Sequence, residues 1–117
     1  MSDYWAGKVE RNLQIAYDIA SLGDFRMVFA HAEHAQRLAR EHDIPFGETE
    51  EIRVRAAYER GAREAIFVAR TLSAQSATAA ARQYLQQART FAHHIGMDVK
   101  DKIAGIEAVI HEYTQRL

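Results

Sequence analysis

The chain has 117 residues, of which 48% are hydrophobic, and this is enough for a single domain with its own core. Its 15 basic and 16 acidic residues nearly cancel, so the overall charge gives no reason to bind nucleic acid. Cysteine is absent, which excludes disulfides, thiolate metal sites and a thiol nucleophile. A single proline and six glycines leave long uninterrupted stretches, and these favour an all-α fold over residues 1–117.

The first predicted helix covers about residues 3–22. Its apolar residues recur at steps of three and four and form one stripe: Trp5, Val9, Leu13, Ala16 and Ala20. Further apolar residues widen this stripe on both sides, so we expect the helix to contact two neighbours. The N-terminal segment MSDYWAGKVERN lacks a signal-peptide pattern, and no run reaches the roughly 20 apolar residues that span a bilayer. We therefore expect a cytoplasmic protein that does not enter a membrane.

The second predicted helix, about residues 24–42, has clear start and stop signals. Gly23 ends the preceding helix, and the carboxylate of Asp24 can accept free amide hydrogens of the next. Pro45 disfavours helical backbone in the residue before it and so marks the end. The predicted buried stripe consists of Phe25, Val28, Phe29, Ala32, Ala35, Ala39 and His42.

The third predicted helix, about residues 49–72, has Thr49 as its predicted cap and two contrasting sides. One side is a seam with alternating steps of four and three: Val54, Tyr58, Gly61, Ala65, Val68 and Leu72. The other side mixes charged residues with apolar residues that have no evident reason to be exposed, a composition typical of interfaces. We predict a partner-binding surface there, made of Ile52, Arg55, Glu59, Arg63, Ile66, Phe67 and Arg70.

The apolar residues of this surface leave two alternatives open, because either another helix or another chain covers them. Closed two-fold dimers are the commonest oligomers. We therefore predict a homodimer in which Arg63 lies against Glu59 of the other chain. An exposed, solvated charged face is the simpler explanation of the arginines, since several glutamates are within reach.

The fourth and fifth predicted helices cover about residues 76–95 and 98–116. Ser73 or Ser76 is the expected cap of the fourth helix. Gly96 is expected to end it in left-handed conformation, with Met97 packing back on the last turn, and Asp98 to cap the fifth. Short loops predict five antiparallel helices, either stacked as hairpins or folded as an up-down bundle. A shift of 53 residues aligns the apolar positions of two helix pairs, which leaves an internal duplication open.

The segment LQIAYDIASLGDFRMVFAHAEHAQRLAREHD, residues 13–43, resembles a tetratricopeptide-type helical hairpin. Ile15 and Ala16 occupy the family's Leu-Gly pair, residues 23–25 match its Gly-Asp-Tyr turn, and Ala35 matches its small residue on the second helix. Arg40 stands where the family places proline. The resemblance implies stacked hairpins and protein binding on an inner face built by the first helix of each pair, and it implies no catalysis.

Six histidines suggest a metal site as an alternative function. His31 and His34 lie on adjacent turns and could share one ion in a small metal-binding or enzymatic bundle, but the sequence identifies no further ligand. No di-iron, zinc-protease, phosphate-loop or nucleophile motif is present. We therefore predict a non-catalytic interaction or adaptor module without cofactor. The metal-binding bundle is the first alternative, and a nucleic-acid-associated subunit, disfavoured by the charge balance, is the second.

Overall fold

The computed structural model describes residues 2–116, with side chains from residue 3, so Met1 and Leu117 of the predicted domain lie outside the described range. Within this range the chain forms five α-helices and no strand, which confirms the predicted all-α fold. The helices are α1 (Ser2–Ile19), α2 (Phe25–Glu41), α3 (Glu48–Ala74), α4 (Thr78–Ile95) and α5 (Lys100–Arg116). A 3-10 turn, Ala20–Leu22, continues α1.

The turn between α1 and α2 forms as the sequence predicts. Gly23 is left-handed with φ 67°, and the carboxylate of Asp24 accepts the backbone N–H of Arg26 at 3.0 Å. The turn sits directly on α3, because a Cβ on Gly23 would lie 3.3 Å from the Cα of Ala65. Glycine at this position thus satisfies both the backbone conformation and the close approach.

The predicted N-cap residues of α3 and α4 are wrong. Thr49 lies inside α3, which begins one residue earlier, and the N-cap is Gly47, whose N–H donates to the Glu50 carboxylate at 2.8 Å. Ser73 is buried within α3, where its hydroxyl donates to the carbonyl of Arg70 at 2.8 Å. Ser76 is left-handed with φ 63°, and α4 begins without a side-chain cap. Both serines are thus used in ending α3.

The turn between α4 and α5 confirms the predicted signals. Gly96 is left-handed with φ 64°, and the N–H of Met97 donates to the carbonyl of Ala92 at 2.9 Å. This is the bond that defines a Schellman cap. The Asp98 carboxylate accepts the N–H of Lys100 at 3.0 Å and so starts α5.

The helices stack in an open array around α3. Helix α1 packs on α2 and α3, while α3 packs on α4 and also contacts α2 and α5. In the described range α1 touches neither α4 nor α5. The molecule is correspondingly elongated, with extents of 62 × 21 × 15 Å. Helices α1 and α2 form one closely packed pair and α3 and α4 form another, and this all-α architecture fits both predicted arrangements.

The core side of α3 is built from very small residues. Ala57, Gly61, Ala62, Ala65 and Ala69 are all buried there. Small side chains let helices approach closely, and at Gly61 this closeness is extreme.

A Cβ on Gly61 would lie 2.4 Å from Cζ of Phe91, which is itself completely buried on α4. Ala35 and Ala88 are also completely buried. The predicted burial of Phe29 is wrong, because its ring is 37% exposed. It stacks on Phe25 with ring centroids 5.5 Å apart and meets His94 at 5.8 Å, so its outer side stays in water.

Candidate functional site

Six of the seven predicted partner-binding residues lie together on one side of α3. We call this set the α3 stripe: Ile52, Arg55, Glu59, Arg63, Phe67 and Arg70. Glu59 is half-buried and the other five are exposed. The two apolar members are also well exposed, at 58% for Ile52 and 62% for Phe67. From Ile52 to Arg70 the stripe extends about 27 Å along the helix.

The seventh residue, Ile66, is predicted from the sequence to lie on this surface, and this prediction is wrong. Its exposure is 4%, and it belongs to a core cluster with Ile103 and Ile106 of α5. The physical reason is rotation along the helix, since each residue turns the side chain by about 100°. Ile66 therefore faces α5, whereas the next residue, Phe67, points away from it.

Glu59 links two arginines of the stripe. Its Oε1 lies 3.3 Å from Nε of Arg55, and its Oε2 lies 3.9 Å from Nη2 of Arg63. Both arginine side chains are more than half exposed, at 54% and 66%, so each pair contributes only about 0.2–0.5 kcal/mol to the helix. Arg70 makes no ion pair with any residue between 3 and 116.

Lys102 of α5 extends the positive charge beside the stripe. A groove of about 380 Å³ is lined by Arg63, Glu64, Ile66, Phe67, Arg70 and Lys102. Three of these six residues are basic and one is acidic, so the C-terminal half of the stripe combines apolar surface with positive charge. No sequence pattern predicts Lys102 at this surface, because only the packing of α5 on α3 brings it there.

Two contacts fix α1 along the edge of the N-terminal half of the stripe. Arg53 forms an ion pair with Glu10, and Nη1 of Arg60 donates to the carbonyl of Tyr17 at 2.9 Å. The guanidinium of Arg60 also lies 4.6 Å from the centre of the Tyr17 ring. The N-terminal half of the stripe is therefore bordered by α1 on one edge, and the C-terminal half is bordered by α5.

The two histidines of the metal hypothesis have separate partners. His31 Nδ1 lies 3.0 Å from Oδ1 of Asn12, and Arg37 donates to His34 Nδ1 at 2.8 Å. Across the described residues no group of three or more His, Cys, Asp or Glu is placed to hold a metal ion. Among these residues, too, no helix is long and apolar enough to cross a membrane.

A cluster of aromatic rings lies on the opposite side of α3 from the stripe. Tyr58 is 7% exposed and packs near Phe25, Phe91 and His94, with ring centroids 5.6 to 6.0 Å from it. Burial of the hydroxyl, together with the negative charge of Glu33, raises the pKa of Tyr58 to about 12. The phenol therefore stays neutral at physiological pH and acts here as a packing group, as its position on the heptad seam predicts.

We compared the chain with protein-family models, with curated proteins and with solved structures, and none of the three comparisons finds a match.

Proposed function

We propose that this protein is a non-catalytic interaction module that binds a protein partner through the α3 stripe. The observation that supports this function best is the 62% exposure of the Phe67 side chain between Arg63 and Arg70. Aromatic residues and arginine are the types enriched in the cores of protein interfaces, whereas interspersed charges of both signs without apolar residues are typical of a solvated face.

The exposed apolar side chains have a free-energy consequence. Full burial of a Phe or Ile side chain is worth roughly 1.5–3 kcal/mol. Phe67 and Ile52 keep more than half of that surface in water. A partner that covers both gains on the order of 2–3 kcal/mol from this apolar surface, before any contribution from the arginines.

The arginines favour a protein partner over a nucleic-acid backbone. Arg55 and Arg63 share Glu59 as their ion-pair partner, so this carboxylate offsets part of the positive charge at the centre of the stripe. Each paired arginine keeps an exposed aliphatic stem that can pack on an apolar neighbour. Binding to a phosphate backbone requires unpaired basic side chains along the length of the surface. In the α3 stripe such a side chain lies only at the C-terminal end.

The experiment is quantitative affinity capture from the native cell with three versions of the tagged chain. We expect the wild type to retain a protein that Phe67→Glu loses by at least tenfold, because the substitution places a charge at the centre of the apolar contact. Met27→Glu is the matched control, since Met27 is 43% exposed on α2, away from the stripe. Equal recovery of every captured protein by the wild type and the Phe67→Glu variant would contradict the proposed function.

A further inference from the structure

The α3 stripe has a symmetry that a surface for an unrelated partner would not need. Its six residues form three pairs, and both members of each pair are equally far along the helix from Gly61: Ile52 with Arg70, Arg55 with Phe67, and Glu59 with Arg63. In each pair one member complements the other. An apolar residue matches an arginine in two of the pairs, and an acid matches a base in the third.

We propose that the partner on the α3 stripe is a second copy of this chain, with the two α3 helices antiparallel and the two-fold axis level with Gly61. The inference rests on the proposed function and names its partner. In a two-fold interface each residue meets the complement of its own pair. The symmetric spacing therefore becomes a set of contacts that forms twice.

The charges select the antiparallel alignment. At the centre, Glu59 lies opposite Arg63 of the partner subunit, which gives two ion pairs across the axis. Farther out, Arg55 lies opposite the partner's Phe67, where the guanidinium can stack on the aromatic ring. This contact does not require an acidic residue on the partner. A parallel alignment would instead set Glu59 against itself and Arg63 against itself, and like charges at an interface are strongly unfavourable.

The shape of the array also suits this arrangement. Arg53 and Arg60, which hold α1, project about 80–100° to one side of Ile52, whereas Ile66, packed towards α5, projects about 40° to the other. Helix α1 thus borders one edge in the N-terminal half, and α5 borders the opposite edge in the C-terminal half. The two-fold rotation places the partner's α1 beside the open edge of the C-terminal half. The flanking helices of the two copies then alternate along the edges of the paired α3 helices.

An acidic segment of another protein is the competing occupant, because Arg70 and Lys102 line the groove beside Phe67. Glu59 disfavours an acidic segment, because its carboxylate lies at the centre of the stripe and would face the acidic side chains of that segment. The symmetric pairs would also be unused by such a segment. A second copy satisfies Glu59 and uses every pair.

The first test measures mass by light scattering coupled to gel filtration over a range of concentrations. We expect the wild type to approach twice the 13.3 kDa of one chain. Phe67→Glu should run at the single-chain mass with an unchanged helical circular dichroism spectrum, while Met27→Glu should remain dimeric. A wild type that stays at 13.3 kDa up to millimolar concentration would overturn the inference.

Charge exchange tests the contact at the axis. Glu59→Arg gives a chain with two basic residues at the axis, and Arg63→Glu gives a chain with two acidic ones. We expect each variant alone to lose at least tenfold in dimer affinity, and an equimolar mixture of the two to recover a heterodimer. If each variant dimerises as the wild type does, the axis does not lie between residues 59 and 63.

Cysteine cross-linking tests the alignment, and the cysteine-free chain makes it site-specific. In the antiparallel dimer the two copies of residue 52 lie about 27 Å apart, too far for a disulfide. An oxidised mixture of Ile52→Cys and Arg70→Cys should therefore yield covalent dimers, and Ile52→Cys alone should not. The reverse result would establish a parallel alignment and refute the proposal.

The outcomes separate this inference from the proposed function. A monomeric wild type that still captures another protein, and loses it in the Phe67→Glu variant, leaves the stripe as a binding surface and removes the second copy as its occupant. Titration with a synthetic polyglutamate peptide then tests the competing occupant: saturable binding by the wild type, weakened in Arg70→Glu, would assign the groove to an acidic segment.

Discussion

The two sides of α3 differ in the size and the exposure of their side chains. Its inner side has the smallest side chains, with Gly61, Ala62 and Ala65 buried against the neighbouring helices. Its outer side has long side chains, two of which are exposed hydrophobic residues. Two phenylalanines mark the contrast, since Phe91 is wedged against Gly61 with no exposure, whereas Phe67 is 62% exposed. Small side chains let α3 lie close to its neighbouring helices, whereas the long side chains of the outer side remain in water.

The strongest test of this contrast removes each ring in turn. Phe91→Ala leaves a cavity between α3 and α4, and we expect it to lower the free energy of unfolding by about 3–5 kcal/mol. Phe67→Ala deletes a ring that contacts mostly water and should change it by less than about 0.5 kcal/mol. Urea denaturation followed by circular dichroism measures both values. Similar losses for the two variants would show that Phe67 belongs to the core.

Self-association would add to the apparent cost of Phe67→Ala, because binding stabilises the folded state by mass action. The measurement is therefore made at the lowest workable protein concentration and repeated at a tenfold higher one. A difference that grows with concentration reports the loss of the dimer. A difference that stays constant reports the loss of packing within one chain.

The second test adds one methyl group to the inner side. Gly61→Ala brings a Cβ to 2.4 Å from the Phe91 ring, so the ring or α4 must shift, and we expect a loss of about 1–3 kcal/mol. Gly105→Ala is the matched control, since that glycine is exposed within α5 and a Cβ there meets nothing within 4 Å. It should gain about 0.5–1 kcal/mol from helix propensity alone. Thermal or urea unfolding of both variants gives the comparison.

The seam on the inner side of α3 could be predicted from the sequence, because heptad spacing fixes which residues share a face. The stripe was predicted with one error. Ile66 and Phe67 are neighbours in sequence, and both looked unexplained beside the arginines. Only the path of α5 over the C-terminal half of α3 separates them, and that path depends on tertiary packing. Lys102 was missed for the same reason.

The capping residues show a local limit of sequence patterns. Asp24 and Asp98 were predicted correctly, since each follows a left-handed glycine that ends a helix within two residues. Thr49 and Ser73 were wrong, because α3 extends past both positions and the hydroxyl of Ser73 bonds inside the helix. A serine or threonine near a helix end can cap the next helix or close the present one. The sequence alone does not decide between these uses.

The smallest predicted effect concerns the phenol of Tyr58 on the inner side. Burial raises its pKa from about 10 to about 12, and the charge of Glu33 contributes in the same direction. The folded state therefore favours the neutral phenol, whose stabilising contribution is complete below pH 10. As the pH rises from 10 towards 12, the unfolded chain loses this proton first, so the free energy of unfolding falls.

Tyr58→Phe removes this titration, so the stability of the variant should decline less steeply than that of the wild type between pH 9.5 and 11. Glu33→Gln removes only the smaller of the two causes and should give an intermediate slope. Urea midpoints across this range measure the three slopes at equal protein concentration. If the slopes coincide, water reaches the hydroxyl of Tyr58. The packing of Phe25 and Phe91 near this ring would then not exclude water from the hydroxyl.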